Sequence, residues 1–396
     1  MNSKAILLLN GVLDGGETYT EYLKHASLCM PADAEAVVIN IPAQTKISGE
    51  RVSEIVNRPT QDVELATLPQ LSGKDFSLLI SNDASLGRYI DTSIKTVFLS
   101  HGSSAMPSSN PYLFAEFTSY FDIITSSSNA SMQMAANGIS LYRSERRKLK
   151  IGINGSIIRS DLRHTYLMPT FPMKMEQLQT EMQAKVPTRK FTIGLLPTAV
   201  GAIRPELSLY NNLIPIIQML INDFPQSRVV LRPYPVDLKR PKIMEVCEIL
   251  GHNAQVTVDS TGSSSSTFYD QCDLVITDAS TGGVSFMLRK TVPPIYFVPT
   301  AALEDSVTRW FVDLLGERVP MAHTVAELSK HIRDLTTAKP NKLFGYYDEY
   351  CKNELFLKRP QAEYFADIIN QNVAGDDVVQ IDAFGKINNG VLEAAA

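Results

Sequence analysis

Short apolar, partly β-branched runs alternate with longer amphipathic stretches along this chain, and the alternation occurs twice. The first series takes in Ala5–Leu9, an amphipathic Thr18–Met30, Ala36–Ile41, a helical Glu50–Val56, Ser77–Ile80, Thr96–Leu99 and Asp122–Thr125. It ends on a helix-like Ala130–Asn137 closed by Gly138. The second runs from Thr192–Leu196 through Ser208–Asp223, Val229–Leu231, Lys242–Leu250, Gln255–Val258, Phe268–Cys272, Leu274–Ile276, Val284–Lys290 and Pro294–Val298. Strand followed by helix, repeated, calls for a mostly parallel sheet with helices on both faces. In Ser208–Asp223 the apolar Leu213, Ile216, Ile217 and Leu220 recur at helical spacing, and Pro215 either kinks that helix or marks its true first turn. The chain then turns helical, over Val325–Leu335, Leu343–Phe356 and Gln361–Asn372.

Between the two series the texture changes. Ser144-Glu145-Arg146-Arg147-Lys148 reads as a solvated turn, Pro169, Pro172 and Pro187 interrupt the residues after it, and Met175–Ala184 reads as one helix. This is the passage between domains. The expected organisation is a first Rossmann-like domain over 1–187, a second with the terminal helices over 188–375, and a tail over 376–396 without strong pattern. Two such α/β domains facing each other across a cleft make the GT-B architecture, the expected fold class. The 396 residues, 44% hydrophobic and 20% charged, supply core for two domains.

Composition excludes several classes. A net charge of −5 gives no basic field for general nucleic-acid binding. Cys29, Cys247, Cys272 and Cys351 lie far apart without CxxC pairing, as core thiols of a reducing compartment do, and no metal site is expected from them or from the histidines. The apolar run Ala5–Leu9 is too short for a signal peptide, and no stretch approaches a membrane span, so a cytoplasmic protein is expected.

The stretch Cys272–Gly283 carries the clearest chemistry. Leu274–Ile276 is a buried strand leading to Asp278, and Ser280, Thr281, Gly282 and Gly283 open the helix beyond it. A helix start offers free backbone N–H groups and a positive dipole end, which suits a phosphate. The competing reading is a structural βα turn capped by Ser or Thr. Asp278 is placed either to bond a ribose or to orient that turn. Arg232, at the end of Val229–Leu231, is fixed by Pro233 and Pro235. It either grips a pyrophosphate bidentately or pairs with an acid such as Asp237. His101 follows the strand Thr96–Leu99 and precedes Gly102, as a general base at a cleft edge or as a turn cap. Asp14, in Asn10–Gly16, is an alternative base, although a tight turn with a solvated Asp explains it as well. Lys239-Arg240 and Arg146-Arg147-Lys148 read as solvated faces, or else as contacts to an anionic glycan or to anionic lipid at a membrane surface.

Three patterns, in order, resemble the CDP-glycerol glycerophosphotransferases and related capsule and teichoic-acid transferases: Phe98-Leu99-Ser100-His101-Gly102, Val230-Leu231-Arg232-Pro233-Tyr234-Pro235, and Asp273–Gly283. Leu196-Pro197-Thr198 is similar to the Pro-Thr that opens the second domain there. The resemblance implies a GT-B transferase without a cofactor. It would move a sugar or polyol-phosphate from a cytidine nucleotide to a glycan or lipid-linked acceptor, peripherally at a membrane. Thr198, Arg232, Tyr234, Asp278, Ser280, Thr281, Gly282 and Gly283 would bind the donor, and His101 would act as base. Tyr234 stands where that family usually has His, and Ser103-Ser104-Ala105-Met106 replaces its usual Thr-Pro-Leu-Lys, so the acceptor side is expected to differ. A CMP-linked keto-sugar acid (Kdo or sialic type) or a UDP-sugar are alternative donors. A non-catalytic two-lobed sugar- or nucleotide-binding protein is the alternative from another class.

Overall fold

A computed structural model describes residues 4–9, 23–24, 26–31, 33–40, 49–64, 76–82, 94–99, 121–149, 165–169, 190–200, 205–234, 237–260, 265–304, 306–316, 318–354, 379–381 and 387–388. Two compact units divide the chain. The first comprises Met1–Ser103, Asn110–Lys174 and Leu355–Ala396, and the second comprises Ser104–Ser109 and Met175–Glu354.

In the first unit the strands are β1 (Lys4–Leu9), β2 (Glu35–Asn40), β3 (Thr60–Glu64), β4 (Phe76–Ser81), β5 (Lys95–Leu99), β6 (Ile123–Ser126) and β7 (Thr165–Pro169). The helices α1 (Gly49–Val56) and α2 (Asn129–Leu149) lie between them in sequence. These seven strands pair in parallel in the order β3-β2-β1-β4-β5-β6-β7. Two short strands, Val379–Ile381 and Ile387–Asn388, extend the sheet antiparallel beyond β7. The stretch over 376–396, read as a patternless tail, thus adds strands to the first sheet. The contact division also assigns 355–396 to the first unit rather than to the second. Main-chain pairing, not side-chain periodicity, recruits so short a segment.

Two further readings change here. The helix expected to close at Gly138 continues to Leu149, so the charge run Ser144–Lys148 is helical rather than a turn. One interior glycine costs a helix only about 1 kcal/mol, and packing offsets it. Ile139, just past the glycine, is fully buried. The expected helices at Met175–Ala184 and Gln361–Asn372 lie outside the described residues.

The second unit is built on β8 (Thr192–Leu196), α3 (Leu213–Asp223), β9 (Arg228–Leu231), α4 (Pro241–Gly251), β10 (Val256–Val258), α5 (Ser265–Gln271), β11 (Leu274–Thr277), α6 (Thr281–Lys290), β12 (Ile295–Phe297), α7 (Ser306–Leu315), β13 (Met321–Ala322), α8 (Val325–Thr336) and α9 (Pro340–Glu354). Its sheet is parallel, in the order β10-β9-β8-β11-β12-β13. Numbered within the unit this is 3-2-1-4-5-6, the strand order of the Rossmann fold. Side-chain alternation builds a layer on each face. Ile193, Leu195, Val229, Leu231, Leu274, Ile276, Ile295 and Phe297 pack on one side, with Leu213, Ile216, Ile217 and Leu220 of α3 and Leu328, Ile332 and Leu335 of α8. The intervening Val230 and Val275 face the other side, with Phe268, Tyr269, Cys272 and Phe286. Pro215 is the third residue of α3, in the first turn, where its missing N–H has no intrahelical partner to lose.

Candidate functional site

The strand order reverses between β8 and β11, and open α/β sheets bind ligands outside the carboxyl ends of the strands at such a point. Two acids organise this edge. Asp278, fully buried just beyond β11, accepts hydrogen bonds from the Thr198 amide (3.0 Å to Oδ2), the Thr198 hydroxyl (2.6 Å to Oδ1) and the Leu209 amide (3.1 Å to Oδ2). Burial pushes its pKa up to about 6, against the pull of those three donors. Asp237, also fully buried, accepts from the Val200 amide (2.8 Å) and from Arg240 Nε (2.8 Å), while Arg240 donates to the Val200 carbonyl (3.1 Å). The segment leaving β8 is therefore fastened at Thr198 and at Val200. Asp278 spends its carboxylate on the amide and hydroxyl of Thr198 and on the Leu209 amide, which ties the segment after β8 to the turn after β11.

The start of α6 lies beside this clamp. Ser280 is the N-cap residue, in extended conformation, but its side chain makes no cap hydrogen bond. The Thr277 hydroxyl donates to the Leu196 carbonyl (2.7 Å) and lies 2.7 Å from Ser280 Oγ. Thr277 has one hydroxyl proton, and Leu196 takes it, so Ser280 must donate to Thr277. Ser280 Oγ is left as an acceptor, and the first-turn amides of Thr281, Gly282 and Gly283 lack a side-chain cap. Both glycines are required by close approach. A Cβ on Gly282 would stand 2.6 Å from Leu196 Cδ2, and one on Gly283 would stand 2.7 Å from Tyr296 Oη and 2.9 Å from Thr277 Cγ2. The helix start is pressed onto the sheet with its N–H groups facing the carboxyl edge, an arrangement suited to a phosphate.

Arg232 leaves the end of β9 and is 6% exposed. Its Nη1 pairs with Asp259 Oδ2 at 3.0 Å, and its guanidinium stands 5.5 Å over the Phe268 ring. The acid it meets is Asp259, beyond β10, and not Asp237. Half-buried Tyr234 donates its amide to the Tyr210 hydroxyl at 3.1 Å. Thr198, Asp278, Ser280, Thr281, Gly282 and Gly283 thus gather at the β8–β11 edge, and Arg232 and Tyr234 stand at the end of the neighbouring β9. His101 and Asp14 lie outside the described residues.

Sequence reasoning passed over Thr277, Asp259 and His323. Thr277 lies just past the strand expected over Leu274–Ile276, Asp259 just past the one expected over Gln255–Val258, and His323 has no metal-like spacing. At the end of β13, His323 Nδ1 meets the Val298 carbonyl at 2.8 Å and its amide donates to Glu327 Oε2 at 2.7 Å. Among the described residues, no group of three or more His, Cys, Asp or Glu side chains could hold a metal ion. None of the described helices is long and apolar enough to cross a membrane.

No protein-family model and no curated protein sequence matches this chain. Solved structures do. The putative UDP-N-acetylglucosamine 2-epimerase from Listeria monocytogenes is 11% identical, over 95% of this chain and 99% of that one, with a TM-score of 0.59. The S. aureus MnaA–UDP structure is 11% identical, over 93% and 95%, with a TM-score of 0.53. A variant of the wall teichoic acid polymerase TagF soaked with CDPG is 13% identical, over 93% and 88%, with a TM-score of 0.52. Identities this low speak to architecture alone, and with the two Rossmann-type sheets they establish that the chain has the GT-B fold.

Proposed function

We propose that the chain is a nucleotide-dependent transferase of surface-glycan synthesis that uses a cytidine nucleotide donor. The observation that carries this reading is the uncapped first turn of α6 at the strand-order reversal, held by Thr277 and Asp278. The donor's phosphates would rest on the amides of Thr281, Gly282 and Gly283, with the Thr281 hydroxyl as a further donor. Arg232, already gripping Asp259, would set the flank of the site. In the reaction the acceptor hydroxyl attacks the donor and loses its proton to His101. The bond to the departing nucleotide breaks, and the amides and helix dipole stabilise the charge that gathers on its phosphate. The choice of cytidine rests on the three motifs shared with the glycerophosphotransferases, and the likeness to a TagF structure soaked with CDPG supports it.

A second reading is epimerisation of a UDP-sugar, favoured by the TM-score of 0.59 and 99% coverage of the Listeria protein. Thermal-shift and calorimetric titrations with CMP, CDP, CDP-glycerol, UDP and UDP-N-acetylglucosamine separate the two. A transferase of the proposed kind binds the cytidine series more tightly and releases nucleotide only when an acceptor is present. An epimerase prefers the uridine series and inverts the sugar without releasing nucleotide. The doubly substituted Ser280→Ala, Thr281→Ala chain should bind nucleotide roughly 10-fold more weakly, the worth of one hydrogen bond to a charged group. Unchanged affinity removes the Thr281 hydroxyl from the phosphate contacts. Normal turnover by His101→Ala removes the base.

A further inference from the structure

We infer that His323 recognises the nucleoside half of the donor by accepting a hydrogen bond from it at Nε2; the inference rests on the nucleotide site at α6. The Val298 carbonyl can only accept, so Nδ1 must carry the proton, and in the neutral ring Nε2 is then the lone-pair nitrogen. Nε2 lies on the ring edge away from Val298, the side chain is half-buried, and among the described residues nothing bonds Nε2. The ring is held in place. Its backbone N–H is fixed by Glu327 Oε2, its carbonyl accepts from the Thr300 hydroxyl (3.4 Å), and Thr324 Oγ1 caps α8 by accepting from the Glu327 amide (3.2 Å). An acceptor nitrogen is thus presented, in a fixed tautomer, at the carboxyl edge of the sheet whose reversal point forms the phosphate site.

Position and charge select the part of the ligand. β13 is the second strand along from β11, so at the usual strand spacing the end of β13, where His323 sits, stands about 10 Å from the end of β11, from which the chain runs into α6. That is too far for the same phosphate and within the span of a nucleoside diphosphate. The helix that begins beside His323 differs from α6. Its first turn is capped by Thr324, and the Glu327 carboxylate sits over it. A second phosphate is disfavoured there, and a neutral O–H or N–H group is suited. A ribose hydroxyl and the exocyclic amine of cytosine both meet that description.

The test is calorimetry on wild type and on His323→Asn, with CDP, UDP, ribose 5-phosphate and inorganic pyrophosphate as probes. Asn can keep the bond to Val298, because its amide nitrogen lies where Nδ1 does, but it has nothing at the Nε2 position. A lost hydrogen bond should weaken CDP roughly 5- to 20-fold and leave pyrophosphate unchanged. Loss on CDP and on ribose 5-phosphate assigns the sugar, and loss on CDP alone assigns the base amine. Equal weakening of CDP and pyrophosphate, or no weakening of either, overturns the inference. Wild type that binds no nucleotide overturns both the inference and the site beneath it. Should His323→Asn fail to fold, His323→Ala carries the same comparison, because it too lacks an acceptor at the Nε2 position and pyrophosphate binding reports whether the α6 site is intact.

Discussion

The buried carboxylate of Asp278 makes a prediction that depends on pH. Its pKa rises from the ordinary 3.8 to about 6, because burial outweighs the three hydrogen bonds it accepts. Between those two values the folded chain holds a proton that the unfolded chain has released. Stability therefore falls as pH rises through this window, and it levels off once Asp278 is ionised in both states. The difference of about two units corresponds to about 3 kcal/mol lost between pH 4 and pH 7. Asp278→Asn keeps the shape and cannot ionise, so its stability should lack this slope, and the wild-type curve minus the variant curve isolates it. The assay is urea unfolding at unit intervals from pH 4 to pH 8, followed by tryptophan fluorescence. The single tryptophan, Trp310, belongs to the second unit, so the signal reports the unit that contains Asp278. Parallel curves for wild type and variant would refute the reasoning. They would mean that the donors from Thr198 and Leu209 fully offset burial and that Asp278 titrates as an ordinary acid.

Two further substitutions test the packing around the site. Gly283→Ala drives a Cβ against Tyr296 and Thr277, which fixed bonds hold, whereas Gly282→Ala meets only the end of the Leu196 side chain. Gly283→Ala should cost about 1–3 kcal/mol and weaken nucleotide binding, Gly282→Ala should cost less, and a reversed order in melting temperature would count against the close-packed helix start. Arg232→Met strips Asp259 of its guanidinium partner in a pair whose side chains are 7% and 10% exposed, at a cost of about 3 kcal/mol. Adding Asp259→Asn should recover most of that loss, and strictly additive losses in the cycle would show that the pair does not act as a unit.

What could be read in the sequence was whatever the chain states locally. Leu274–Ile276 announces itself as a strand because three successive buried positions demand apolar residues, and β11 extends one residue further, to the buried Thr277. The strands that escaped notice are those that local chemistry does not mark. Thr60–Glu64 is polar and lies at the sheet edge, and Met321–Ala322 is two residues long. The residues of the candidate site were legible as types but not as partners. Asp278 finds its donors 69 and 80 positions earlier in the chain. Arg232 passes over Asp237, five residues away, for Asp259, because β9 and β10 are paired and carry both side chains to the same edge. Asp237 meanwhile turns back to Val200, 37 residues earlier, where an amide needs an acceptor. In each case the partner is chosen by strand order, and strand order arises from the packing of two apolar layers that no single motif contains. The hydroxyl of Ser280 shows the consequence for function. Sequence alone offers it as a phosphate donor. The fold commits its proton to Thr277, whose own proton is committed to Leu196, so what this helix start can offer an anion is the Thr281 hydroxyl and the first-turn amides of Thr281, Gly282 and Gly283.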